Sequence, residues 1–150
     1  MTRPSTLFTA LASYLPEIQI ISPESPEVQA YVTDVLGRTT KGCVGIVLPR
    51  DAGETSRLLK FCRSHGLAVV PQGGNTGLVQ GTVMPDGKAH VILSTRRMSC
   101  IAKTDELAGT VECGAGVVLA ALNATLEPSG LYLPISLGSE GSAQIGSRAG

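Results

Sequence analysis

Four glycines, Gly73, Gly74, Gly77 and Gly81, fall within nine residues directly after the apolar run Leu67-Ala68-Val69-Val70. No other feature of the chain restricts its fold so strongly. Glycine permits φ > 0 and lacks the Cβ that would hold a ligand off the backbone. Successive N–H groups in such a turn form an anion-binding nest. Asn75 tolerates left-handed geometry, and Thr76 adds a hydroxyl donor. The segment Pro71-Gln72-Gly73-Gly74-Asn75-Thr76-Gly77-Leu78 therefore suits a pyrophosphate, or else is simply a glycine-rich surface turn. No Lys-Ser/Thr follows, so it is not a Walker A loop. The GxGxxG spacing is also missing, and no helical pattern opens behind it.

The framework around the loop reads as mixed α and β. Val44 to Leu48 is a β-branched run stopped by Pro49, a buried strand. Asp51 to His65 has helical spacing, with Leu58, Leu59, Phe61 and Cys62 facing inward and Gly66 as its cap. Leu67 to Val70 is a second strand, completing a β-α-β unit. Strands are expected at His90–Leu93 and Gly109–Cys113, and a helix at Val117–Glu127 closed by Gly130. Upstream, Ile18 to Ile21 is extended. Ser25-Pro26-Glu27 is an N-cap with Pro at the first helical position, opening a helical turn toward Leu36. Leu7, Leu11 and Leu15 recur every four residues, as in an amphipathic helix over Thr6–Tyr14. Arg3, with no acid before Glu17, also gives this stretch some transit-peptide character.

A length of 150 residues fits one domain, and 43% hydrophobic content supports a real core. Twelve basic and twelve acidic side chains cancel, so no global field draws in nucleic acid or an anionic membrane. No apolar run approaches the roughly 20 residues that span a bilayer. Cys43, Cys62, Cys100 and Cys113 form no CxxC pair and read as reduced thiols. With only His65 and His90 beside them, no metal site is expected. His65 closes a helix and His90 opens a strand, and both read as structural. Asp105 and Glu106 sit in a polar turn. No nucleophile–base pair stands out, so any chemistry belongs to a cofactor. The C-terminal stretch PISLGSEGSAQIGSRAG repeats Gly and Ser and forms a second candidate loop.

From about residue 28 to 146 the chain resembles the FAD-binding domain of the p-cresol methylhydroxylase and vanillyl-alcohol oxidase type. The resemblance rests on PQGGNTGLVQG, on ILSTRRMSCI with Arg97 and Met98 in register, and on GTVECGAGVVLAALNATLEPSGLYLPISLGSEGSAQIG. The spelling GGNTGLV resembles the branch of FAD-linked 2-hydroxyacid dehydrogenases acting on D-lactate, glycolate or D-2-hydroxyglutarate. It implies an α+β fold: an FAD-binding domain of two small α+β subdomains, the second incomplete, with FAD between them. Residues 1–150 would then be the N-terminal part of that domain, the substrate domain lying outside the chain. Pro71, Gln72, Gly73, Gly74, Asn75, Thr76, Gly77 and Leu78 would hold the pyrophosphate. Pro134, Leu137, Gly138, Ser139, Gly141, Ser142, Ile145 and Gly146 would line the flavin and its ribityl chain. A Gly74→Val change would press a branched Cβ against the pyrophosphate and strip FAD while leaving the fold.

The implied reaction is oxidation of a small 2-hydroxy acid to the 2-oxo acid, with hydride passing to flavin N5. The electron acceptor, catalytic residues and metal ligands are unassigned. Relatives that attach flavin covalently place a His where this chain has Asn75, so FAD is expected to be noncovalent. Two departures stand out. Ser147-Arg148-Ala149-Gly150 replaces the family's usual continuation, and Ala143 replaces a frequent Cys. Two other readings stay open: the same domain oxidising another alcohol, a phenol or an aldonolactone, or a truncated, non-catalytic nucleotide-binding module. The expected compartment is the cytoplasm, or the mitochondrion if the source is eukaryotic.

Overall fold

The computed structural model describes residues 4–84 and 87–147. Arg3 and the departure at Arg148–Gly150 lie outside the described residues. Four helices and six strands are named in chain order. They are α1 (Pro4–Tyr14), β1 (Gln19–Ile21), α2 (Gln29–Val32), β2 (Cys43–Leu48), α3 (Ala52–Ser64) and β3 (Ala68–Gln72). There follow β4 (His90–Ser94), β5 (Ile101–Asp105), β6 (Thr110–Cys113) and α4 (Leu119–Leu126).

One sheet has the order β1-β2-β4-β3. β2 and β3 both run parallel to β4, which lies between them, and β1 runs antiparallel to β2. The expected β-α-β unit is thus β2-α3-β3, with a third parallel strand inserted later in the chain. The sheet is apolar on both faces, as a parallel sheet covered by helices must be. Leu7, Leu11 and Leu15 of the α1 region and Leu58, Phe61 and Cys62 of α3 pack with Val44, Val47 and Val91. Ile46, Leu48, Val70 and Ile92 turn the other way, onto Val28 and Val32. α1 is therefore part of the core.

α3 begins where its sequence dictates. The Asp51 side chain accepts from the Glu54 N–H at 2.8 Å, an N-cap of the expected kind. The Arg50 guanidinium clamps the buried Glu54 carboxylate at 2.5 Å. That hydrogen bond and the Arg50 N–H hold the Glu54 carboxyl below its usual pKa, partly offset by burial. Gly66 follows with φ +64°. Leu59 departs from expectation and is 46% exposed. It lies about 100° round the helix from Leu58, just beyond the inward stripe.

A second, smaller layer is the antiparallel β5–β6 hairpin covered by α4. Val117, Leu122 and Leu126 pack there with Ile101, Val111 and Ile145. The fold is α+β, as expected. Three details differ. β5 is a full strand that the sequence pattern did not announce. The helix after Ser25 stops at Val32 rather than running toward Leu36, because Thr33 turns extended (φ −113°, ψ 127°). β3 runs through Pro71 and Gln72 instead of ending at Val70. It is an edge strand of its sheet, the place where a proline costs no ladder bond.

Candidate functional site

The two glycine-rich segments lie against each other. Gly73 to Gly77 leaves β3 and meets the turn at Ser139–Ala143. At Gly74 the contact is so close that an added Cβ would stand 1.8 Å from the Ser142 carbonyl oxygen. This corrects the expectation for Gly74→Val, because the new side chain meets protein backbone before any ligand. Among the described residues, Gly73, Gly74, Gly77 and Gly81 also show no left-handed φ; Asn75 (φ 55°) and Gln80 (φ 66°) do. The loop thus needs glycine for close approach and open space rather than for φ > 0. Gly77, Gly81, Gly138 and Gly141 are open positions of the two segments, with nothing within 4 Å of an added Cβ.

Side chains lock this geometry. Asn75 Nδ2 donates to the Thr33 carbonyl at 2.8 Å and the Ala30 carbonyl at 3.3 Å, and Asn75 Oδ1 accepts from Thr82. Gln72 Nε2 donates to the Tyr31 carbonyl at 2.7 Å. The loop is therefore pinned to the end of α2 by side chains, while its own backbone donors stay free. Among the described residues, no N–H from Gly73 to Val79 is engaged.

The second loop is the reverse case. The N–H groups of Ser142, Ala143, Ile145 and Gly146 are all bonded within the protein. Its carbonyls cap α4: Leu119 N–H donates to the Ala143 oxygen and Ala120 N–H to the Glu140 oxygen. The first two N–H groups of α4 are thus engaged by the protein itself. Gly116 carries the hairpin layer onto the sheet, since a Cβ there would lie 1.9 Å from the Thr95 carbonyl.

Two clefts flank the Gly73–Asn75 ridge. One, of about 470 Å³, is lined by Tyr31, Gln72, Gly73, Gly74, Asn75, Ser94, Arg96, Val117, Val118, Gly141, Ser142 and Gln144, among others. The other, of about 520 Å³, is lined by Gly73 through Val79, Leu137, Gly138, Ser139 and Ser147, among others. Most expected site residues therefore converge on one ridge and its two sides. Pro71, Pro134, Ile145 and Gly146 line neither cleft. Pro71 sits in β3, Pro134 is exposed, Ile145 packs under α4, and Gly146 donates to the Ala115 carbonyl.

The sequence reading missed Tyr31, Arg96, Val117, Val118 and Gln144. Arg96 is the one charged residue lining the first cleft among those described. Of the neighbouring Arg97-Met98 pair that carries the resemblance, Arg97 ends the Thr95–Arg97 turn and Met98 caps it. Gln144 is 5% exposed and accepts from Thr95 Oγ1 at 2.6 Å.

His90 is fully buried, its Nδ1 at 2.8 Å from the Lys88 carbonyl and its Nε2 at 3.3 Å from Thr40 Oγ1. His65 bonds to the Phe61 carbonyl at the end of α3. Both rings are engaged by the fold. Among the described residues, no group of three or more His, Cys, Asp or Glu could hold a metal ion. None of their helices is long and apolar enough to cross a membrane.

Comparison with known proteins gives the family and the fold. D-2-hydroxyglutarate dehydrogenase, mitochondrial, of Arabidopsis thaliana is 35% identical over 145 residues, covering 95% of this chain and 26% of that protein. The Bos taurus protein of the same name is 38% identical over 138 residues, 91% of this chain and 24% of its own length. The chain thus spans about a quarter of the length of these relatives. Among solved structures, alkyldihydroxyacetonephosphate synthase superposes with a TM-score of 0.78 at 19% identity, covering 98% of this chain and 29% of that one. Chitooligosaccharide oxidase follows the same fold with a TM-score of 0.74 at 17% identity, over 93% of this chain and 30% of its own. The FAD binding domain family model matches residues 44–149, from the first buried strand through both glycine-rich loops. On that match, the chain belongs to the FAD binding domain family.

Proposed function

We propose that this chain holds FAD across the Gly73–Gly77 ridge, as the N-terminal part of a flavin-dependent 2-hydroxyacid dehydrogenase. One observation carries the reading. A run of unengaged backbone N–H groups, pinned in place by Asn75 and Gln72, separates two clefts. Such a row of donors holds a pyrophosphate, and Arg96 adds a positive charge beside it. Gly77, Gly138 and Gly141 border open space, with nothing of the protein within 4 Å of an added Cβ, which leaves room for a ligand. Gln72, Thr76, Leu78, Leu137, Ser139 and Ser142 complete the contacts, while Pro71, Pro134, Ile145 and Gly146 line neither cleft.

When bound, FAD supplies the hydride acceptor for oxidation of an alcohol carbon. This chain's share is to bind, orient and shield it. The substrate is read from the D-2-hydroxyglutarate dehydrogenases, the relatives matched over most of this chain. Titration with FAD, followed by flavin fluorescence, should show saturable one-to-one binding. Absence of binding at about 1 mM FAD, a limit of only about 4 kcal/mol, would overturn the reading. For a polypeptide carrying this domain together with a substrate domain, anaerobic D-2-hydroxyglutarate should bleach the flavin band. Bleaching only by an aldonolactone or simple alcohol would move the substrate class.

Attachment is noncovalent in this reading. Asn75 carries no ring nucleophile, and its amide is committed to Thr33, Ala30 and Thr82. Acid precipitation should leave all flavin in the supernatant; flavin in the pellet would refute this. The names of both dehydrogenase relatives place those proteins in mitochondria. For a eukaryotic source, the same compartment replaces the cytoplasm as the proposed location. A fluorescent fusion that stays diffuse in the cytosol would count against it.

A further inference from the structure

We infer that Gln144 is a cofactor-contacting donor, and that Thr95 is the residue that points it. The proposal rests on the FAD reading above and adds a ligand to it. Gln144 is 5% exposed, lines the 470 Å³ cleft, and lies in the second glycine-rich loop between the expected site residues Ser142 and Ile145. Its stem packs beside Gly73, 3.5 Å from the position of an added Cβ there. Its backbone pairs with Val118 across the base of α4, and its carbonyl accepts from Ser147 Oγ. Only the side-chain amide has freedom left.

That freedom is removed at one end. Thr95 Oγ1 lies 2.6 Å from Gln144 Oε1. A distance this short belongs to O–H···O pairing rather than to N–H···O, which sits near 2.9 to 3.0 Å as a rough mode. The Thr95 hydroxyl therefore donates to the amide oxygen. Its alternative acceptor, the Gln72 carbonyl, is farther away at 3.4 Å. With the oxygen committed, Nε2 is fixed on the other side. It has no partner among the described residues and is not a sealed, orphaned atom. A nearly buried amide with two unpartnered protons, on a cleft wall, is a donor awaiting an acceptor. An occupant that presents an acceptor there, either a phosphoryl oxygen or a carbonyl or ring nitrogen of the flavin, takes this hydrogen bond.

The test compares wild type with Gln144→Glu, Thr95→Val and Thr95→Ser, reading the dissociation constants of FAD, riboflavin and ADP. Gln144→Glu keeps the shape and the acceptor for Thr95 but loses the donor. FAD affinity should fall about tenfold or more. The deficit should narrow as pH is lowered and the carboxyl regains a proton, which a merely structural lesion would not do. Thr95→Val should weaken FAD by several-fold, and Thr95→Ser should restore it. If ADP weakens in parallel, the acceptor is phosphoryl; if riboflavin weakens and ADP does not, it is on the ring. Either pattern supports the assignment.

Gln144→Glu with wild-type affinity for all three ligands would overturn it while leaving the FAD reading intact. A wild-type chain that binds no FAD would overturn the earlier reading instead. Should Gln144→Glu fail to fold, the Thr95→Val and Thr95→Ser pair decides the matter: equal affinities refute the proposal.

Discussion

Gly74→Ala tests what the two glycine-rich loops do for each other. The added Cβ lies 1.8 Å from the Ser142 carbonyl oxygen and 2.7 Å from its carbon. Real Cβ contacts are essentially never under 3.0 Å, so the Ser139–Ala143 turn must retreat by about 1.2 Å. That turn holds the first two N–H groups of α4, through the Ala143 oxygen at 2.9 Å and the Glu140 oxygen at 3.2 Å. Overpacking costs about 1 to 3 kcal/mol, and each backbone bond that lengthens costs about 0.5 to 1.5 more. A destabilisation centred near about 3 kcal/mol follows, which lowers Tm by about 6 to 12 °C in a domain of this size. Thermal unfolding followed by circular dichroism, without FAD, is the assay. Gly77→Ala is the control. Nothing lies within 4 Å of its Cβ and its φ is not left-handed, so Tm should hold or rise slightly. Only its FAD affinity should fall. A Gly74→Ala protein melting within about 2 °C of wild type would refute the close-contact argument. So would a Gly77→Ala protein that loses as much stability.

Leu58 has no exposed surface in the core beneath α3, and Leu58→Ala should cost about 2 to 5 kcal/mol in urea unfolding. Glu54 gives a pH test. Its folded pKa is depressed by Arg50, so its contribution is present above the unfolded value near 4.5. It is lost as pH falls below that value and through the folded one. The urea midpoint of Glu54→Gln should therefore be lower than wild type near neutrality, with the gap closing in acid; a pH-independent gap would sink this account. Cys62 is 1% exposed, and burial pushes its thiol up to about 11, whereas Cys100 is exposed. A disulfide reagent should modify Cys100 at once and Cys62 only after unfolding, as read by mass spectrometry.

Periodicity carried the framework, because burial on a helix or strand repeats along the chain. Asp51, Leu58, Phe61 and Gly66 announce α3, and Val44 to Leu48 announces β2. The pattern failed where burial is one-sided or local. β5 reads Ile-Ala-Lys-Thr-Asp, with three of its five residues exposed, so it carries too little apolar signal to mark a strand. Leu36 looked like the end of a helix, but Asp34 accepts from the Leu36 and Arg38 N–H groups and builds a turn instead. The helical spacing that places Leu58, Phe61 and Cys62 inward extends only to the margin of the stripe at Leu59, which is exposed.

The site was legible as a pair of loops but not as a mechanism of holding them. Glycine in a phosphate-binding turn suggests φ > 0, and here the left-handed positions are Asn75 and Gln80. Gly74 is glycine because another backbone passes within contact of it, a cause that resides some 68 residues downstream at Ser142. The Thr95–Gln144 pair is similar: partners 49 positions apart, each unremarkable alone, form one oriented donor. Contacts of this kind leave no periodic trace in a single chain. They arise only when the sheet has brought the end of β4, the ridge after β3 and the turn before residue 147 to one place. In this domain the glycines set how closely the loops approach. The polar side chains between them, Asn75, Gln72, Thr95 and Gln144, determine which donors remain free to meet a ligand.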